Sequence, residues 1–153
     1  MPGLEDDFRE CAALAAFHRQ TLDELDRAFG AAGIRWTPLK GADYAWSVYP
    51  EPALRPMSDL DVLVEPAHFS VASQLLIGLG FRESARSTAT RHAQSFDRRS
   101  HELVDLHRSV FQPNRSNASV RPMWRRAKAV DGTRGQWHFE LVDRFLLHLA
   151  HLA

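Results

Sequence analysis

The chain has a single cysteine, Cys11, so it cannot form an internal disulfide, and thiol redox chemistry has little to work with. Placed in a helical-looking run, Cys11 reads as a small core residue. No stretch approaches the roughly 18–20 consecutive apolar residues that a membrane helix needs. The opening Met1-Pro2-Gly3-Leu4-Glu5-Asp6-Asp7 is acidic where a signal peptide would be basic, which leads us to expect a cytoplasmic protein. Internal repeats and low-complexity tracts are lacking as well. So is a net charge, since 19 acidic residues face 19 basic ones. Lysine is scarce: only Lys40 and Lys128 stand among the basic residues, so arginine is the customary cation and a lysine inside a motif draws notice.

What is present suits one soluble α/β domain over residues 1–153. Of these residues 44% are hydrophobic and 25% charged, enough to bury a real core. Charge is unevenly spread, with 12 acidic against 6 basic residues up to position 65 and 7 against 13 beyond it. That division fits an acidic metal-binding segment facing a basic, anion-binding one, and it equally fits two halves that attract each other in the fold.

Apolar residues at three- and four-residue spacing from Phe8 to Phe29 predict an amphipathic helix that stops at Gly30 and Gly33. Ile34 to Leu39 alternates and runs into Lys40-Gly41, a short strand leading to a glycine turn, with a helix following from Ala42 to Val48. Three prolines between Tyr49 and Pro56 impose an ordered loop. The next strand is read over Asp59–Val64, followed by a helix that Pro66 starts and Gly78 and Gly80 end. Phe81 to Ser87 reads as a further strand, and Ala93–Arg98 with Glu102–Val110 as a hairpin joined by Arg99-Ser100-His101. After a loop at Gln112–Asn117, a short helix over Pro122–Ala127 and a strand near Gln136–Phe139 are expected. The last helix, Glu140 to Ala153, carries a wide apolar face. The chain stops while that helix is still strongly apolar, so three readings stand open: a truncated chain, a short member of its family, or a helix that packs on a partner chain or a second copy.

Strict alternation along Asp59-Leu60-Asp61-Val62-Leu63-Val64 puts both carboxylates on one face, about 6–7 Å apart. Two such groups can converge on hard cations, and magnesium, which binds carboxylates together with substrate phosphates, is the natural guest. Asp-x-Asp is common, and a solvated edge strand is the competing reading. Other residues add weight. Asp105, on the second hairpin strand, is in position to point at the same sheet face, where a carboxylate could bind metal and draw a proton from an incoming hydroxyl. Lys40-Gly41 offers one fixed cation and helix-start N–H groups to phosphates, and Arg55 could neutralise phosphate charge. His107 shares the face of Asp105 and is a candidate substrate contact, against the reading of a packed core histidine. His138, His148 and His151 lack a matching Cys or carboxylate cluster and read as helix-surface histidines rather than transition-metal ligands. The four tryptophans read as core and rim residues, one of which could stack on a nucleobase.

Taken in order, Leu39-Lys40-Gly41, Tyr49-Pro50, Leu54-Arg55-Pro56-Met57-Ser58-Asp59-Leu60-Asp61-Val62-Leu63-Val64 and Val104-Asp105-Leu106-His107 resemble the motifs of an uncharacterised nucleotidyltransferase family. That family lies within the polymerase-β-like nucleotidyltransferase superfamily. The resemblance implies a mixed β-sheet with helices packed on one face. It further implies a catalytic and metal-binding triad of Asp59, Asp61 and Asp105 holding two magnesium ions, and a nucleotide-binding set of Lys40, Gly41, Ala42, Arg55 and Ser58. The implied reaction moves a nucleoside monophosphate from an NTP to an unknown acceptor: a small molecule, a peptide or an RNA end. The chain departs from the superfamily pattern in having Ala42 where Ser or Gly usually follows the turn glycine, which leaves Lys40 and Arg55 to take the place of the missing hydroxyl. Two rivals stand beside the enzyme. One is a catalytically degenerate module that keeps the fold and binds a nucleotide or a partner; the other is a nucleic-acid-binding domain resting on the arginines between Arg82 and Arg134.

Overall fold

In the computed structural model, which describes residues 3–84, 92–98, 102–110 and 119–152, the N-terminal amphipathic repeat becomes one long helix, α1 (Leu4–Ala31). Glu5, Asp6 and Asp7 lie in its first turn, where the helix dipole favours negative charge. Its buried stripe is His18, Thr21, Leu22, Leu25 and Phe29. The helix runs through Gly30 and closes only at Gly33, whose φ of 68° lies in the left-handed region that glycine adopts without a Cβ clash. Gly30 has another purpose. A Cβ at that position would lie 2.4 Å from Arg134 Cβ, so glycine permits a loop to press against the helix.

Five strands form the main sheet, in the order β1 (Trp36–Pro38), β2 (Leu60–Val64), β5 (Glu102–His107), β4 (Ala93–Arg98) and β3 (Arg82–Glu83). β2 and β5 are parallel, and every other neighbouring pair is antiparallel. α2 (Lys40–Ser47) follows β1, α3 (Phe69–Gly78) follows β2, and α4 (Arg121–Arg126) and α5 (Leu141–Leu152) come last. The expected mixed sheet with helices against it is therefore present. The predicted turn Arg99-Ser100-His101, the loop Gln112–Asn117 and most of the far half of the Phe81–Ser87 strand lie outside the described residues.

The two sheet faces differ sharply. Leu60, Val62 and Val64 join Val104 and Leu106 of β5, Trp36 of β1 and Phe96 of β4 in a core sealed by Leu22, Leu25 and Phe29 of α1 and by Phe69, Ala72 and Leu76 of α3. Fully burying each such side chain is worth about 1.5–3 kcal/mol. On the alternate positions, Leu63 packs into a smaller second cluster with Leu39, Val120, Met123, Trp124, Phe139 and Leu147. α4 and α5 thus cover part of the other face around Leu63, and Asp61, Asp105 and His107 occupy the positions beside it. α5 buries Leu147 but leaves Leu141, Val142, Phe145, Leu146 and Leu149 exposed.

A two-stranded ribbon that the sequence showed only in part, β6 (Lys128–Ala129) with β7 (Trp137–His138), docks on the outer edge of β1. Asp26 of α1 holds it there. Its Oδ1 accepts from Trp36 Nε1, Gly135 N and Gln136 N, and its Oδ2 from Arg134 N at 2.7 Å. Asp26→Ala would leave several part-buried donors without an acceptor, so it is expected to lower the unfolding free energy by about 1–3 kcal/mol. A fall in the urea midpoint at unchanged slope is the reading that checks this.

Candidate functional site

β1 and β2 pair antiparallel, and the ladder continues one residue past β1, where Leu39 N donates to Asp61 O at 2.9 Å. Lys40 follows immediately with φ 50°, the one described non-glycine residue in the left-handed region. This single reversal turns the chain into α2 and keeps the lysine side chain beside the strand just left. Its Nζ lies 2.6 Å from Asp61 Oδ1. The turn anticipated at Gly41 is thus made by Lys40. Gly41 sits in the first turn of α2, and a Cβ there would have room, its nearest neighbours being Met57 Cβ at 3.5 Å and Arg55 Nη2 at 3.8 Å.

Across the parallel pair, Asp61 stands in register with Asp105, and Leu63 with His107. Asp61, Asp105 and His107 each offer a ligand atom within 4.8 Å of the others. Asp61 is 5% exposed. Its Oδ1 also accepts from the ring at His107 Nε2, 2.8 Å away, since an ionised carboxylate can only accept. Burial pushes the Asp61 carboxyl up, but the His107 hydrogen bond and charge, joined by Lys40, more than offset it and leave the group below its ordinary range. Asp61 is therefore held ionised. Asp105 Oδ1 is buried and has no hydrogen-bond partner. A second histidine, His92, lies with its ring 6.4 Å from that of His107 and accepts from Arg108 N through its backbone oxygen. Burial lowers the His92 imidazole, and the charges of His107, Lys40 and Arg108 lower it further.

The other sequence candidates are placed differently. Asp59 lies in the bend before β2, which begins at Leu60, and its Oδ1 accepts from Ser58 Oγ at 3.2 Å. It is not one of the three residues brought within ligand distance of each other. Arg55, partly buried, donates to Pro56 O, and its guanidinium flanks Gly41. Ala42 turns its methyl into the main core, so only its backbone can face a ligand at the start of α2.

Sequence reasoning passed over Asp43, one turn along α2. It is 6% exposed, with Oδ2 accepting from Arg144 Nε at 2.6 Å and Oδ1 lying 3.8 Å from His138 Nδ1. Burial raises the Asp43 carboxyl despite Arg144, and burial lowers His138. Nothing local signals this trio, whose members come from α2, β7 and α5. His148, read as a surface histidine, packs edge-on against Tyr44 at 5.3 Å.

Together these features describe a mixed α/β protein with an acidic pair and a histidine gathered on one sheet face beside the start of a helix. The family model described as uncharacterised nucleotidyltransferase matches residues 3–153, and the chain belongs to that family. No curated protein and no solved structure matches the chain. Among the described residues, no helix is long and apolar enough to cross a membrane.

Proposed function

We propose that this chain transfers a nucleoside monophosphate from a magnesium–NTP to an acceptor hydroxyl or phosphate, releasing pyrophosphate. The observation that carries the reading is the register pairing of Asp61 with Asp105, one carboxylate held ionised and the other with a buried oxygen lacking a partner. Two anionic carboxylates in neighbouring strands repel one another unless a cation lies between or beside them. Lys40 supplies part of that charge, and the unpaired Asp105 oxygen leaves a place for more.

The donor set fits a hard divalent ion: oxygen ligands from Asp61 and Asp105, with His107 orienting Asp61 rather than competing for the metal. Magnesium, when bound, neutralises phosphate charge and steadies both the attacking and the leaving oxygens of an in-line displacement. The chain's own residues do the rest. Lys40, Arg55 and the first N–H groups of α2 bind the triphosphate, where donors and helix dipole both favour an anion. Asp105 takes the proton from the acceptor hydroxyl as its oxygen bonds to the α-phosphorus, while the bond from that phosphorus to the bridging oxygen breaks and the pair of electrons leaves with pyrophosphate. Asp59, in the bend just before β2, and Ser58 beside it complete the residue set of this reading.

Calorimetry of the whole chain with each of the four NTPs tests this reading. At least one NTP is expected to bind with magnesium or manganese and to lose that binding when the metal is chelated. Binding by none of them, or binding indifferent to metal, would overturn it.

A further inference from the structure

The ladder bond from Leu39 N to Asp61 O fixes where α2 begins, and Lys40 Nζ lies 2.6 Å from Asp61 Oδ1 just after it. Neither contact sets the direction in which a helix of 8 residues then runs. Two faces of the helix do. Ala42, Ala45 and Trp46, at three- and four-residue spacing, are buried or packed against the core. Two of the three are methyl groups, and apolar contact is non-directional. The other face carries Asp43, Tyr44 and Ser47, and all three engage α5. Arg144 is the centre of that contact. Its Nε donates to Asp43 Oδ2 at 2.6 Å, its Nη2 donates to Ser47 Oγ, and its backbone oxygen accepts from Tyr44 Oη at 3.4 Å. We propose that Arg144 is a positioning residue for nucleotide binding: by gripping α2 one turn beyond Lys40 and Gly41, it aims the first N–H groups of that helix at the triphosphate. The proposal rests on the nucleotide reading above, and Arg144 acts through α2 rather than by contact with the nucleotide.

Three observations carry the inference. The first is the span of the grip. One planar guanidinium bonds residues i and i+4 of α2, so it fixes the rotation of the helix about its axis as well as its place. The second is burial. The Arg144 side chain is 16% exposed and that of Asp43 6%, so water screens their attraction little. Burial pushes the Asp43 carboxyl up even with Arg144 beside it, and His138, 3.8 Å from the other oxygen, is itself lowered by burial and cannot stand in as a permanent cation. Without Arg144 a buried carboxylate is left uncompensated, a state that α2 relieves by moving. The third is separation. The contacts of Arg144 go to α2, whereas Asp61 and Asp105 stand on β2 and β5. Loss of the arginine therefore disturbs the phosphate side of the site and spares the metal side.

Arg144→Met and Arg98→Met in the whole chain test this. Arg98, which bonds Glu24 at 2.7 Å and Leu79 O at 2.9 Å, is a comparably covered arginine with partners away from α2, so it reports the effect of lost stability alone. In calorimetry with the four magnesium–NTPs, Arg144→Met is expected to weaken binding by about tenfold or more, since small misplacements at a site are costly. Manganese alone should bind it no more weakly than the wild type. Arg98→Met should lower the melting temperature and change NTP affinity less than about twofold, as a substitution outside the site does. Residual dipolar couplings of the ¹⁵N-labelled free chain read the geometry without nucleotide. In Arg144→Met the α2 N–H vectors are expected to turn, relative to those of β2 and β5, by more than about 10–20°, the tolerance of a productive site. Should Arg144→Met not fold, the double variant Asp43→Asn, Arg144→Met leaves no buried charge unpaired and is read in the same way. An unturned α2, unchanged NTP affinity, or an equal loss in Arg98→Met would overturn the proposal. A wild type that binds no NTP would overturn the nucleotide reading instead, and the couplings would still decide whether Arg144 directs α2.

Discussion

Asp105→Asn is expected to abolish metal-dependent nucleotide binding while leaving the fold as stable as before, and Asp61→Asn to abolish the same binding at a cost in stability. The contrast follows from their partners. Asp105 Oδ1 accepts no hydrogen bond, so an amide oxygen in its place forfeits none there, and loss of the charge relieves repulsion with the carboxylate across the ladder. Asp61 anchors both Lys40 and His107 through one oxygen, and neutralising it leaves an ammonium at a part-buried site without its counter-charge. A loss of about 1–3 kcal/mol is expected there, less than full removal of a buried pair because asparagine still accepts. For metal affinity the loss should exceed about a hundredfold in either variant, since even outer-shell partners of a metal ligand cost 10–100-fold. Manganese titration followed by electron paramagnetic resonance, beside thermal unfolding, reads both quantities without any need to know the acceptor. An Asp105→Asn protein that binds manganese as the wild type does would remove Asp105 from the site.

The parts legible in the sequence are those set by short-range pattern. The α1 stripe and the alternation of the paired β4 and β5 strands set one face toward the core, and in β2, buried on both faces, a one-residue slip would drive Asp61 into the apolar core. The same alternation brought Asp105 to the face of Asp61, and the register agrees. It overreached at Asp59, because alternation assumes that a strand continues, and here the chain enters β2 through a bend in which Ser58 engages that carboxylate. Gly41 drew the expected turn because glycine is the usual left-handed residue; the ladder bond from Leu39 to Asp61 and the Lys40–Asp61 contact instead hold the reversal one residue earlier. The Asp43–Arg144 bond joins residues 101 positions apart, and the Asp26 anchor reaches 110 positions to Gln136. Such pairs carry no spacing that a reading along the chain can detect. β7 falls inside the strand expected near Gln136–Phe139, while its partner β6, two residues long, is too short to show a period.

Lys40→Gly and Lys40→Ala should separate what the lysine does for the backbone from what it does for the nucleotide. Both variants remove the ammonium. Each is expected to weaken magnesium–NTP binding by about 10- to 100-fold, the range of a charge-assisted contact to phosphate. They differ in the backbone, because φ 50° strains an L-residue and suits glycine, so Lys40→Gly should unfold about 1 kcal/mol harder than Lys40→Ala. Without nucleotide the sign reverses. Lys40 Nζ sits on the very oxygen of Asp61 that a cation would approach, and its removal lifts both a competitor and a repelling charge. Manganese alone should then bind several-fold more tightly to either variant than to the wild type, even as NTP binding falls. A lysine that merely braced the turn would move both affinities in the same direction, and unchanged NTP affinity in Lys40→Gly would take the residue out of the phosphate site. A crossing of the two affinities would mark Lys40, which contacts Asp61 here, as a cation that yields that oxygen to a metal and turns to the phosphates.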